Sequence, residues 1–222
     1  MKAQLRIASL AVLFALCLVA TSAMAGTLYD NGPPNGDVDA WAINYGYTVS
    51  NSFVVPANSE ITDVHFVYWE APGGGLLTSV DMQLGYTPFG GTPQTLGNPT
   101  NTFLGVNGYG YNLYLASYVF TGIGWSGPGY LTLGNACTTT GCSSDEIYWD
   151  ENGGVGCGGT HPPGGGANCP STAYENVYGT IPSEAFTLTG DLPGTTPEPG
   201  SLALFGSGVA GLAGVLRRRF LG

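Results

Sequence analysis

The sequence predicts an all-β fold, an antiparallel β-sandwich of the jelly-roll kind, with one helix at each end of the chain. Two observations support the sandwich: apolar residues alternate with polar ones in several short runs, and glycine- and proline-rich turn sequences separate those runs. No stretch before Leu202 has a sustained helical period. Alternation of this kind is typical of antiparallel sheets with one face in the core and the other in water.

The clearest predicted strand covers residues 80–84, where Val80, Met82 and Leu84 alternate with polar residues. Further strands are predicted at residues 63–68, 112–119, 131–133 and 186–188. Turns are predicted at residues 31–36, 72–75, 89–91, 127–129 and 152–154. We therefore expect one β domain over residues 26–190, which is long enough to enclose a core of its own.

The first 25 residues have the three parts of a secretory signal peptide. Lys2 and Arg6 supply the positive charge, an apolar run follows, and Ala23 and Ala25 form a small-residue cleavage site. The alternative, a membrane-spanning helix, is disfavoured because the apolar run is short. We therefore predict export through the Sec pathway and cleavage after Ala25.

The chain closes with a linker at residues 191–200 and a predicted transmembrane helix at residues 201–222. The linker contains Pro197, Glu198 and Pro199, and residues 201–216 carry no charge. The cluster Arg217, Arg218 and Arg219 is expected to stop the helix on the cytoplasmic side of the membrane. The run is slightly short for a span, but arginine side chains can extend its reach. Alternatives are a plain tail anchor and a buried core helix.

This order of a Pro-Glu-Pro motif, an apolar helix and an arginine cluster resembles the PEP-CTERM sorting signal of Gram-negative bacteria. The resemblance covers residues 196–222. It implies an exosortase-type transpeptidase as partner, which processes such tails near the Pro-Glu-Pro motif. It also implies a protein that is held in the membrane first and is then located at the cell surface or outside the cell. Family members tend to occur where exopolysaccharide is made.

All five basic residues of the chain lie in the two terminal segments, so residues 26–196 contain no lysine or arginine. The same stretch is rich in aspartate and glutamate, and the whole chain has a net charge of -10. Nucleic-acid binding is excluded, because phosphate recognition depends on basic side chains. Anionic lipids and anionic polysaccharides are disfavoured for the same reason. Neutral glycans, cations and other proteins remain as ligands.

The cysteines of the predicted mature chain lie in one glycine-rich stretch: Cys137, Cys142, Cys157 and Cys169. An even number in an exported domain predicts disulfide bonds. Of the three possible pairings we favour 137 with 142 and 157 with 169, because each closes a local loop. The alternative is a metal site with His161, but the spacing lacks the C-x-x-C pairs of zinc sites.

Two acidic pairs, Asp145-Glu146 and Asp150-Glu151, flank residues 147–149. Paired carboxylates beside aromatic residues are what a glycosidase needs, but we interpret these pairs as a water-exposed strand rim. The sequence has no G-x-S-x-G motif, and His65 and His161 are the only histidines, so no Ser-His-Asp triad is indicated. We therefore do not expect an enzyme.

The acidic turn that contains Asp30, Asp37 and Asp39 is a candidate binding site for a structural calcium ion. The turn lacks the terminal glutamate of an EF-hand, and ordinary Asx turns are the simpler explanation. The loop at Asp150 and Glu151 is a second candidate. No other cofactor is expected.

Four tryptophans and many tyrosines could stack on neutral sugars, although most of them are expected in the core. Trp125 is flanked by glycines and serine and is the most probable exposed candidate. The leading hypothesis is a structural or adhesive protein of the cell surface or extracellular matrix, without catalysis. Alternatives are a module that binds neutral exopolysaccharide and, less favoured, a glycan-active hydrolase.

Overall fold

A single hydrogen-bonded sheet of eleven strands forms the domain in the computed structural model, which describes residues 25–36, 39–152 and 171–192, and Gly208 of the tail. All strand pairs are antiparallel, and these three ranges contain no helix, so the predicted antiparallel β fold is confirmed. The strands are β1 Gly26–Asp30, β2 Ala40–Ala42, β3 Thr48–Glu70, β4 Leu77–Gly85, β5 Gln94–Gly97, β6 Thr100–Val106, β7 Asn112–Thr138, β8 Ile147–Asp150, β9 Ala173–Glu175, β10 Gly179–Ile181 and β11 Phe186–Asp191.

The predicted signal peptide, sorting motif and transmembrane helix lie outside the described residues, apart from Gly208, which is helical and exposed. Within the described part of the chain, no helix is long and apolar enough to span a membrane.

Two long strands, β3 and β7, form the centre of the sheet and pair along most of their length. The central strand order is β1-β11-β3-β7-β4-β5, so β11 lies between β1 and β3. The register of β3 shifts between Val55 and Ser59 and again between Ile61 and Asp63. Such bulges bend a strand and increase its twist, which allows a strand of 23 residues to curve around a core.

The turn predicted at residues 127–129 is wrong, because these residues lie inside β7. Pro128 pairs with Val54 of β3, whereas β4 and β6 contact β7 only at residues 130–138 and 112–117. Among the described strands, β7 therefore has a partner on one side only at Pro128. A proline is tolerated there because its missing N–H can face that open edge.

Most inward residues predicted for β3 and β4 form the core, and Leu84 is only partly buried against it. Val64, Phe66 and Tyr68 are buried, as are Val80 and Met82. Trp149 of β8 is fully buried at the centre and packs its ring against Phe66 and Phe186. The alternation therefore predicted the faces of these strands correctly.

One end of β3 carries the short strands that form the candidate site. Tyr68, Trp69 and Glu70 pair with β8, which pairs on its other side with β2. The opposite end of β3 pairs with β9, which forms a hairpin with β10. The side chains of β2, β8 and the β9–β10 turn meet in a groove.

Candidate functional site

Two adjoining cavities, each about 330 Å³, meet at Ala40 and Tyr148. We call them together the Tyr148 groove. Aromatic side chains line both halves, and the two halves also contain three carboxylates. The first half is lined by Trp41, Tyr45, Tyr47, Tyr178, Glu146 and Glu175. The second half is lined by Trp69, Tyr109, Tyr111 and Asp39.

Small side chains on β2 open the groove beside Tyr148. Ala42 lies directly opposite Tyr148 in the register of β2 and β8. Side chains opposite each other in an antiparallel pair are close neighbours, so an alanine there leaves the tyrosine ring uncovered on that side. The next residue of β8, Trp149, points into the core, as the period of a strand requires.

Ring contacts hold the aromatic walls in place. The ring of Trp41 lies 5.8 Å from that of Tyr178, and Tyr111 meets Tyr148 edge to face at 5.8 Å. Trp69 packs against Tyr109 at 6.0 Å. Tyr109 and Tyr178 are nevertheless 65% and 68% exposed, so a ligand can reach their free faces.

Polar contacts fix the tyrosines of the groove. The Tyr148 hydroxyl donates a hydrogen bond to the Glu146 carboxylate. Burial raises the pKa of Tyr148 above its ordinary value, and the hydrogen bond to Glu146 raises it further, so the hydroxyl keeps its proton. The Glu175 carboxylate accepts the backbone N–H groups of Val177 and Tyr178, both at 2.7 Å, and thereby shapes the turn that carries Tyr178.

Behind the groove lies a group of buried carboxylates, Asp150, Glu151 and Glu184, each no more than 1% exposed. Glu151 and Glu184 face each other in an antiparallel bridge. The indole N–H of Trp41 donates to Glu151 Oε1 at 2.9 Å, which links this group to the groove wall. The Asp150 carboxylate accepts the Gly36 N–H at 3.1 Å. Both oxygens of Glu184 are buried without a hydrogen-bond partner in the described structure.

Glu151 and Glu184 favour the protonated state because both are buried and the described residues contain no lysine or arginine that could neutralise them. Burial raises the pKa of Glu151 to about 7; the Trp41 hydrogen bond opposes this and the charge of Asp39 adds to it. Burial also raises the pKa of Glu184 well above its usual value, with further increases from Glu151, Asp150 and Asp39. A carboxyl group in such surroundings is neutral over much of the physiological pH range.

The interpretation of Asp150-Glu151 as a water-exposed rim is therefore wrong. The segment before β11 covers this pair, because the N–H of Ala185 donates to Asp150 O and the N–H of Asn152 donates to Ser183 O. Glu184, the third carboxylate of the group, lies on that covering segment. The local sequence gives no sign that it packs against Glu151.

The other acidic pair has a different environment. Asp145 accepts hydrogen bonds from Thr140 Oγ1, from the Gly75 N–H at 2.9 Å and from Thr138 Oγ1 at 2.8 Å, and these lower its pKa. Glu146 is exposed, as expected for a rim. The threonines belong to a loop that the Cys137–Cys142 disulfide closes. Cys157 and Cys169 lie outside the described residues, and their pairing stays a prediction.

Glu151 and Glu184 line neither cavity, so these two buried carboxylates do not reach the space of the groove. His65 lies in β3, between the neighbouring strands β11 and β7. Its Nδ1 lies 2.9 Å from Ser117 Oγ of β7, so its side chain contacts the neighbouring strand. His161 lies outside the described residues.

The proposed calcium ligands are spread over two turns. Asp30 Oδ1 accepts the Gly32 N–H at 3.0 Å, an Asx turn, and Asp39 Oδ1 accepts the Ala40 N–H. Asp37 lies outside the described residues. Over the described ranges, no group of three or more His, Cys, Asp or Glu side chains is arranged to hold a metal ion. The calcium site stays a prediction.

Trp125 is half-buried and lines a separate cavity. The sequence did not single out the aromatic residues of the Tyr148 groove. The strands that form the groove come from distant parts of the chain. In the sequence, only the dense aromatic content near Tyr148 pointed to the groove.

Residues 195–219 match the family model of the PEP-CTERM protein-sorting motif. A β-rich domain with this motif belongs to the class of exported proteins that are destined for the cell surface. The chain carries a PEP-CTERM sorting motif, and this motif implies an exported protein that exosortase processes. No curated protein matches the chain.

Proposed function

We propose that the β domain is a non-catalytic adhesive module that binds neutral glycan chains in the Tyr148 groove at the cell surface. A Sec signal peptide, residues 1–25, exports the chain, and the segment 201–222 holds it in the membrane until exosortase acts. In this proposal the bent sheet folds into the two layers of a sandwich, with the groove along one end. Exopolysaccharide around the cell supplies the ligand.

The aromatic lining of the groove is the observation that carries the proposal. The C–H faces of a sugar ring are apolar and stack on aromatic rings, while its hydroxyls need polar partners at the edges. Tyr109, Tyr148 and Tyr178 offer such faces, and Glu146 is a hydrogen-bond acceptor beside them. The size of the groove also fits a glycan chain, because two adjoining cavities of about 330 Å³ each have room for several sugar units.

The negative charge of the groove favours neutral glycans over anionic ones. The groove contains Asp39, Glu146 and Glu175, and residues 26–196 contain no lysine or arginine. A uronate or sulfate group would meet repulsion without compensation. The ligand is therefore neutral, and binding should depend weakly on salt.

Affinity electrophoresis of the mature exported protein tests this proposal. Gels contain dextran, galactomannan or xyloglucan as neutral polymers, and alginate as an anionic one. We expect retardation by at least one neutral polymer, none by alginate, and no release of reducing ends. Tyr148→Ala should weaken binding about fivefold, since one lost stacking contact is worth about 1 kcal/mol.

Phe103→Ala is the matched control, because Phe103 is 55% exposed and lines neither half of the groove. It should bind as the wild type does. Equal retardation of the wild type and Tyr148→Ala on every polymer that binds would contradict the groove assignment. If none of the neutral polymers retards the protein, the proposal that the domain binds neutral glycans of these classes is contradicted.

A further inference from the structure

We propose that the domain has a second neutral-glycan site, formed by Tyr86 and Trp125, so that one molecule can bridge two glycan chains. The ligand class rests on the function proposed above. The site itself rests on separate residues, none of which lines the Tyr148 groove.

Tyr86 is a rigid and accessible platform. Its ring stacks on that of Trp125 with centroids 4.6 Å apart and planes 22° apart. Trp125 is held in turn by Phe53 of the core, at a ring distance of 5.7 Å. Tyr86 is still 71% exposed, so its outer face is free. A preformed aromatic face binds a sugar ring with little ordering cost.

Polar groups surround this platform in a cavity of about 390 Å³. Asn58 and Glu60 are exposed beside Tyr86, and Ser126 lies next to Trp125. The N–H of Asn58 donates to Ser126 Oγ at 2.8 Å, which joins the bulge of β3 to β7 and fixes the rim. An amide and a carboxylate beside a flat ring are suitable partners for sugar hydroxyls. As in the groove, no basic group is present to bind an anionic sugar.

The two sites lie at different positions along β3. Ser59 of the second site pairs with Trp125, whereas Trp69 of the groove pairs with Tyr148. Ten residues of extended chain separate Ser59 from Trp69, which corresponds to about 30 Å of strand. Two separate oligosaccharides can therefore bind to one domain, and two polymer chains can be joined by one molecule.

Isothermal titration of the mature protein with oligosaccharide fragments of dextran, galactomannan and xyloglucan tests this inference. For the fragment that binds, we expect two molecules per protein chain. Tyr86→Ala and Tyr148→Ala should each leave only one fragment bound with wild-type affinity, because each removes the platform of one site and weakens binding there. Tyr86→Phe should retain two, since it keeps the stacking face, and Phe103→Ala should also retain two.

A bridging assay gives a second readout. The wild type should increase the viscosity of a dilute solution of the polymer that binds, whereas each single alanine variant should bind without bridging. One fragment per wild-type chain, unchanged in Tyr86→Ala and lost in Tyr148→Ala, would overturn the second site and leave the proposed function intact. Loss of all binding in the wild type would instead overturn the proposed function.

Discussion

Two acidic pairs flank the same short strand, β8, and occupy opposite environments. Asp145 at its start is surrounded by N–H and O–H donors, whereas Glu151 at its end faces Glu184 in the interior. The pairs differ little in sequence. What differs is the surrounding structure: a turn and a threonine loop at one end, and a covering segment with another carboxylate at the other. The pKa of Glu151 therefore depends on packing partners far away in the chain, whereas that of Asp145 depends first on the nearby threonine loop and then on Gly75.

The carboxylates at the two ends of β8 change the stability of the fold with pH in opposite directions. The lowered pKa of Asp145 means that it stabilises the fold above its unfolded pKa, and this contribution is lost as pH falls through the folded value. The raised pKa of Glu151 and Glu184 means that they stabilise the fold below their unfolded pKa. Their contribution is lost as pH rises toward and beyond about 7 for Glu151.

The largest expected effect comes from Glu184→Gln, which removes the most buried carboxyl group and keeps its shape. The wild type should lose unfolding free energy between pH 5 and pH 8 as Glu184 and Glu151 ionise, and the variant, which keeps only Glu151, should lose less. Urea denaturation at half-unit pH steps measures this. Glu146→Gln at the exposed end is the control and should leave the slope unchanged. Parallel curves for wild type and Glu184→Gln would refute the role of this carboxyl.

Opening the Cys137–Cys142 bond should have the next largest effect. Replacing both cysteines by serine removes a small closed loop and should cost about 2 kcal/mol of unfolding free energy on the loop-entropy model. The loss should be similar at pH 5 and pH 8, because no titrating group is removed. Denaturation of the wild type with and without reductant provides the comparison. A double variant as stable as the wild type would show that the loop is held by other contacts.

Asp145→Asn should have a smaller effect than opening the disulfide. The variant loses the charge that accepts from Gly75 and from the threonines, so it should be less stable than the wild type at pH 7. The difference should disappear in acid, where the wild-type carboxyl is also neutral. Thermal melts at pH 7 and pH 3 check this. A deficit that persists at pH 3 would point to lost packing instead of lost charge.

Asp39→Asn should have the smallest effect. The charge of Asp39 raises the pKa of Glu151 and of Glu184, although Asp39 itself is exposed. Its removal should lower both pKa values and stabilise the domain at pH 8 by less than about 0.5 kcal/mol. Added salt should reduce the gain. Asp30→Asn, in another turn, is the matched control, and an equal gain there would indicate only general repulsion.

The strands were predictable where a single periodic signal decided them. Val80 and Met82 of β4, and Val64 and Phe66 of β3, alternate as their burial does. The length of β7 was not predictable, because Pro128 and its neighbouring glycines read as a turn unless the one-sided pairing is known. Local sequence cannot reveal which edge of a strand has a partner.

The site was predictable only in part. Because residues 26–196 contain no lysine or arginine, the sequence indicated that the carboxylates of the domain have no such partner within it. It could not distinguish Asp145, which finds hydroxyl donors, from Glu151, which finds another carboxylate. That distinction depends on residues 183–185, which lie more than thirty positions further along the chain and pack over β8. The Tyr148 groove likewise needs segments about 100 residues apart to meet.

The position of β11 has a mechanical consequence. This strand is the last of the domain before the tail, and it is hydrogen-bonded to β1 on one side and to β3 on the other. A pull on the tail acts along β11, so both ladders are loaded in shear and their hydrogen bonds must break together. Detachment of an edge strand would need only one ladder to open, bond after bond. Under the function proposed above, a bound glycan that pulls the domain away from its attachment point would meet a slow unfolding step, and that rate would set the resistance to flow.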